Sequence, residues 1–288
     1  MDFNKVPKIS WFPGHMNKAL RQLNDKLGLV DVVVEVLDAR VPESTRNAAF
    51  AETMANKAHV ILLFKTDLAD PDTTAAWRDH YQREGNAVIT THYRARDVIP
   101  KLLKRLEQAE AAERKRRGSK YPRTRAVRAM ILGLPNVGKS SLINLLVRRK
   151  HTKTGHRPGV TRHQQWIKIG DDIELLDTPG IMYPRINSRE TSLKLGLVAA
   201  IKEEHLGTDL LAEYLLEIMN QQANTEIMRF YELDVVPERI EDLLEAIGRR
   251  RGMLLPGDEV DPIQAANAFV SDFREGVFGR ISLERPGG

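Results

Sequence analysis

The 288-residue sequence contains no cysteine. Disulfides and thiolate metal sites are therefore excluded, which suits a reducing compartment. No uninterrupted apolar stretch approaches the ~20 residues that span a bilayer, and residues 1–10 lack an apolar core of signal-peptide length. A soluble, cytoplasmic protein with no membrane and no disulfide partner is expected. Charge of either sign is scarcely in excess: 44 Lys and Arg against 39 Asp and Glu give a net charge of +5. The placement says more than the sum. Basic residues crowd 114–117, 120–128 and 148–150, and a locally basic surface suits phosphate or nucleic acid. A solvated charged face is the plainer reading of any single run. No internal repeat or low-complexity tract is present.

What remains is a hydrophobic fraction of 42%, enough for a sizeable core. Short apolar runs rich in Val and Ile occur at 30–37, 59–64, 87–90, 129–132, 165–169 and 173–176. Helical patterns lie between them at 17–27, 73–84, 97–113 and 139–149. Strands alternating with helices predict an α/β fold with a parallel-rich sheet. Residues 113–128 are basic, hold Gly118, Ser119 and Pro122, and read as a surface connection. After Tyr183 strand-like runs stop, and apolar residues recur at helical spacing through 193–203, 210–220, 238–247 and 262–273. Two domains are expected: an α/β unit over 1–183 and a small all-α unit over 184–288.

Residues 133–140, GLPNVGKS, match G-x-x-x-x-G-K-[ST] and follow a strand-like run and precede a helix pattern. The glycines let the backbone fold around phosphates, and the helix N-terminus adds its positive dipole end. Lys139 is expected to reach the β- and γ-phosphates, and Ser140 to ligate Mg²⁺. Asn136, Val137, Gly138, Lys139, Ser140 and Ser141 form the candidate phosphate-binding set. Asp177 and Gly180, in DTPG at 177–180, follow another strand-like run. That carboxylate can hold Mg²⁺, and the glycine N–H can meet the γ-phosphate. Thr161, in PGVT at 158–161, lies between the two and can complete the Mg²⁺ shell.

Guanine is read by an N-K-x-D element whose carboxylate accepts from two adjacent donors of the base; adenine lacks that pair and leaves the carboxylate unsatisfied. No such element follows residue 140. Upstream, FKTD at 64–67 supplies Lys65 and Asp67, with Phe64 in the asparagine position. The base reader thus precedes the phosphate loop, as in a circularly permuted P-loop GTPase whose old ends are joined over the surface by 113–128. The loop around Gly180 then runs almost directly into the helical unit, so nucleotide state can bias that unit's orientation. Phe64 cannot donate to the base or tie its loop to the phosphate loop. The loss of such a bond costs about 0.5–1.5 kcal/mol, so weaker guanine binding is expected, with preference retained through Asp67.

This order of elements, with WFPGHM at 11–16, DAR at 38–40, RG at 251–252, Asp261 and GVFGRI at 276–281, resembles the ribosome biogenesis GTPase A family across essentially the whole chain. The resemblance implies a GTP hydrolase acting late in assembly of the large ribosomal subunit, stimulated by that particle and binding ribosomal RNA through its C-terminal helices. It implies GTP and GDP as ligands, Mg²⁺, and K⁺ held with help from Asn136. The residue after the DTPG glycine is Ile181, which cannot hydrogen-bond water, and the resemblance points to His15 in its place, since an imidazole can orient or polarise water. A docking role for 11–16 is the alternative. The second base loop falls by position near His92 and Tyr93.

A different class of reading is an RNA-binding scaffold with a slow or degenerate nucleotide site, favoured by Phe64 and Ile181 and opposed by Lys139, Ser140, Thr161 and Asp177. A permuted GTPase of the small subunit ranks lower: such proteins carry an N-terminal barrel or a cysteine zinc module, whereas here a strand-like run already begins at Val30 and cysteine is absent. A metabolic kinase would need a substrate pocket that the sequence does not reveal.

Overall fold

The computed structural model describes residues 3–7, 25–46, 54, 57–95, 97–118, 124–148, 166–169, 173–176, 186 and 188–287. In chain order the elements are β1 (Val32–Asp38), α1 (Pro42–Thr45), β2 (Ala58–Phe64), α2 (Pro71–Arg83), β3 (Ala87–Thr90), α3 (Val98–Arg116), β4 (Val127–Leu132), α4 (Lys139–Arg148), β5 (Trp166–Ile169) and β6 (Ile173–Leu176). There follow α5 (Arg189–Leu197), α6 (Thr208–Gln221), α7 (Glu226–Tyr231), α8 (Ile240–Arg251), β7 (Leu254–Leu255), β8 (Glu259–Val260) and α9 (Pro262–Glu275).

Six strands form one sheet in the order β3-β2-β1-β4-β6-β5. All neighbours are parallel except β5 and β6. Every residue of β1, VVVEVLD, is buried, as a near-continuous β-branched run covered on both faces should be. Burying such Val and Leu side chains is worth about 1.5–3 kcal/mol each. From β1 the chain moves outward through β2 to the edge strand β3. Helix α3 then carries it back to β4 on the other side of β1. Strand order therefore reverses at β1, and ligands of open α/β sheets bind outside the carboxyl ends of the strands at such a point. Register prepares the space: Asp38 lies opposite Phe64, but Leu132 at the end of β4 lies opposite Glu35. The chain after β4 can thus curl beside the last turn of β1.

The later helices pack on one another and continue the main core, with Leu193, Leu215, Ile247 and Phe269 all buried. The expected all-helical segment has one addition, the two-residue ladder of β7 and β8. The joining segment is also shorter than 113–128: α3 runs on to Arg116, and β4 already starts at Val127. Helix persists through the basic stretch because Glu110 pairs with Arg114, and Glu113 pairs with Arg116 and Arg117, at i+3 and i+4 spacing. Among the described residues no helix is long and apolar enough to cross a membrane.

The C-terminal tail returns to the sheet. Ile281 N–H donates to Leu68 O at 3.0 Å and Leu283 N–H to Arg40 O at 2.8 Å. Asp70 N–H donates to Ser282 Oγ at 3.1 Å, and Trp77 Nε1–H to Glu284 O at 3.2 Å. The Glu284 carboxylate accepts from Glu43 N–H at 2.9 Å and from the Ser44 hydroxyl.

Candidate nucleotide site

At the carboxyl ends of β1, β2 and β4 lies a cleft of about 790 Å³. The phosphate loop forms one wall. Gly133 has φ +152°, and a Cβ there would fall 2.6 Å from Val36 O, so the loop passes closer to β1 than any side chain allows. Val137 is buried beneath the loop, while Asn136, Gly138, Lys139, Ser140 and Ser141 face the cleft. The Lys139 ammonium folds across the loop and donates to Leu134 O at 2.6 Å. Arriving phosphate oxygens would take over such a donor. The Ser140 hydroxyl, in the first turn of α4, is exposed to the cleft. It is a hard oxygen donor of the kind Mg²⁺ takes.

Phe64, Lys65 and Asp67 form the facing wall. Lys65 adopts φ +61° at the end of β2, which turns the chain sharply toward Asp67. Backbone bonds hold this loop against the next one: Thr91 N–H donates to Leu63 O at 2.9 Å, and Thr66 N–H to Thr91 O at 3.3 Å. Tyr93 lines the cleft, and His92 Nδ1 stands 4.0 Å from Asp67 Oδ2. The two base loops expected from the sequence are therefore neighbours.

Phe64 corrects one expectation. Its ring does reach the phosphate loop. A Cβ on Gly138 would lie 2.3 Å from Phe64 Cδ1, and Gly138 has φ +110°. The tie that an asparagine would make by hydrogen bonding is here an apolar contact, possible only because residue 138 has no side chain.

Behind the base loop lies a buried charge cluster. Asp38 accepts from Arg40 Nε and Nη2 at 3.0 and 2.8 Å, and Lys65 Nζ lies 2.8 Å from Asp38 Oδ2. Burial pushes the Asp38 carboxyl up. The charges of Arg40 and Lys65, with hydrogen bonds from both, outweigh burial and hold it well below the usual carboxylate range. Arg40 is 2% exposed, its guanidinium is 5.3 Å from the centre of the Phe273 ring, and its Nη1 has no hydrogen-bond partner among the described residues.

The sequence reading missed the third wall. Val198, Ala199, Arg274, Glu275 and Gly276, all from the helical segment, line the same cleft with Arg40, Leu68 and Arg94. Arg274 donates to Leu197 O at 2.8 Å and to Gly196 O at 2.6 Å. Asn136 Nδ2 donates to Ala199 O at 2.7 Å. The DAR and GVFGRI strings were visible signals, but nothing in them says that they meet at one cleft. His15, Thr161, Asp177, Gly180 and Ile181 lie outside the described residues.

Residues 128–242 match the family model described as 50S ribosome-binding GTPase; the base loop lies upstream of that span. Ribosome biogenesis GTPase A of Priestia megaterium is 41% identical over 281 residues, covering 96% of this chain and 97% of its own. Among solved structures, the GDP-bound TM YlqF superposes with a TM-score of 0.68 at 32% identity, covering 93% of this chain and 100% of that one. The GNP-bound YlqF from T. maritima gives 0.67 at 32% identity, covering 94% and 99%.

Proposed function

From the premise that this chain belongs to the ribosome biogenesis GTPase A family, we propose how its cleft serves a GTPase of large-subunit assembly. The chain binds guanine nucleotide and hydrolyses GTP to GDP and phosphate. The observation that carries the reading is the meeting of Phe64 and Gly138, 74 residues apart: it brings a phosphate loop and a base loop, in reversed order, to opposite walls of one cleft.

In this reading Asp67 accepts from the guanine edge, with His92 and Tyr93 on the adjoining loop. Backbone N–H groups of 136–141 and Lys139 hold the phosphates. Ser140, Thr161 and Asp177 would hold Mg²⁺, which when bound neutralises charge building on the β- and γ-oxygens. Asn136 would offer its Oδ1 to K⁺, and Gly180 its N–H to the γ-phosphate. His15 orients the water that adds to the γ-phosphorus as the bridging oxygen leaves with GDP. Residues 1–183 act as the GTPase domain and 184–288 as the part that docks on ribosomal RNA, in the cytoplasm.

The test is GTP hydrolysis in potassium buffer with and without purified large ribosomal subunits, for the wild type and His15→Ala. Stimulation by the particle, lost in the variant while GTP binding persists, is expected. Stimulation that survives in the variant removes His15 from the chemistry. Absence of both stimulation and GTP binding would leave an RNA-binding scaffold.

A further inference from the structure

Away from the nucleotide cleft, α2 and α3 flank the edge strand β3 and leave a groove of about 380 Å³ between them. Arg78 of α2 faces Lys101, Lys104 and Arg105 of α3 across it, and Gln82 and Gln108 add amide donors. Among the described residues no carboxylate lines it.

The sequence of α3 builds this wall. Residues 101, 104, 105 and 108 recur at i, i+3, i+4 and i+7, so they share one helix face. All four are exposed, whereas Val98, Ile99, Leu102 and Leu106 pack inward. Lys115 and Arg116 fall on the same stripe two turns further on. At about 1.5 Å rise per residue the stripe is roughly 22 Å long. The helix's acidic residues, Glu107, Glu110 and Glu113, lie off it. A plain solvated helix face would intersperse both signs; here the groove-lining part carries one sign, and only beyond it does Arg116 pair with Glu113.

The cations are not locked in place. Lys101 pairs with Asp97 at 2.6 Å and Arg78 with its neighbour Asp79 at 2.7 Å, both between exposed groups. Such pairs are worth about 0–1 kcal/mol and yield readily to a polyanion. Lys104 has no acidic partner among the described residues.

We propose that the α2–α3 groove binds the phosphodiester backbone of ribosomal RNA, as a contact separate from the one assigned to the C-terminal helices. Charge complementarity names the ligand: several cations whose only acidic partners among the described residues are exposed, with amide donors and no carboxylate among the lining residues, suit a row of phosphates and carry no base-reading pattern. The choice of ribosomal RNA rests on the function proposed above.

The experiment is binding of GTP-analogue-loaded full-length protein to large ribosomal subunits at several salt concentrations. Wild type is compared with Lys101→Glu/Lys104→Glu/Arg105→Glu and with the milder Lys104→Gln. Each lost phosphate contact should lower the slope of log K against log salt by about 0.7–0.9. The triple variant should therefore lose about 2–3 in slope and Lys104→Gln about 1, with GDP affinity and unstimulated hydrolysis unchanged. Inorganic phosphate, added at constant ionic strength, should not displace the particle; displacement at millimolar phosphate would mean a small-anion site instead. Wild-type slopes in both variants would overturn the groove alone. A wild type that does not bind the particle would overturn the functional reading, and the groove with it.

Discussion

Lys65 Nζ reaches Asp38 Oδ2 at 2.8 Å, on a carboxylate already held twice by Arg40. The base loop is thereby anchored to the end of β1 through a charge cluster whose Asp38 and Arg40 are buried. Removing one member of a buried pair strands the other and costs about 3–5 kcal/mol. Asp38→Ala is expected to lose that much in urea unfolding and to weaken GDP binding as Lys65 loses its anchor. A loss of stability with unchanged GDP affinity would show that the cluster only supports the fold.

The same carboxyl predicts an acid response. Its folded-state pKa is depressed, so its contribution to stability is fully present above the usual aspartate value of about 3.9. It is lost as pH falls below that value toward the folded one. Wild-type stability should drop more steeply below pH ~4 than that of Asp38→Asn. Equal slopes would remove Asp38 from the acid transition.

Glu284 should act with the opposite sign. Burial pushes its carboxyl above the ordinary glutamate range, although Ser44, Lys194 and the Glu43 N–H oppose the shift. The folded state then holds the proton more tightly than the unfolded one. Stability should fall as pH rises from the ordinary glutamate value through the raised one, and Glu284→Gln should flatten that window. Glu284→Ala strands the Glu43 and Ser44 N–H groups and should cost about 1–3 kcal/mol. Denaturation midpoints between pH 4 and 7 for the three proteins decide the matter.

Phe64 and Gly138 separate stability from affinity. Gly138→Ala drives a Cβ into the Phe64 ring in a backbone region that L side chains avoid, so nucleotide binding should be lost. Phe64→Asn removes a ring that is 2% exposed, at a cost of roughly 3 kcal/mol or more. It also restores a hydrogen-bonding side chain between the loops, and GDP affinity should rise about 2- to 10-fold. A fall in both quantities would mean that the apolar tie is the better one in this chain.

The phosphate loop was legible because its glycines, lysine and serine are contiguous and flanked by a strand and a helix. The FKTD string that holds Asp67 was legible because it too is local. The wall formed by Arg40, Ala199 and Arg274 was not: it is assembled from segments far apart in the chain, and only packing shows that they meet. Glu284 and Ser44 are 240 residues apart, and no local spacing announces that bond. Helix α7 escaped because six residues hold less than two turns of periodicity. The end of α3 escaped because a basic run resembles a linker until its i+3 and i+4 partners are counted.

Asn136 and Ala199 both take left-handed backbone angles, φ 58° and 60°, and face each other through one hydrogen bond. Asparagine tolerates that region; alanine pays about 1–2 kcal/mol for it. The strain at Ala199 aims a carbonyl of the helical segment at the phosphate loop, and the resulting bond orients the Asn136 amide. If Asn136 holds K⁺ beside the phosphates, its replacement by alanine should bring the ratio of hydrolysis rates in potassium and sodium close to one. Ala199→Gly keeps the carbonyl and relieves the strain, so it should retain the potassium response and bind GDP normally. A potassium response that persists in Asn136→Ala would confine Asn136 to its bond with Ala199. The phosphate loop would then be linked to the helical segment without any cation at this residue.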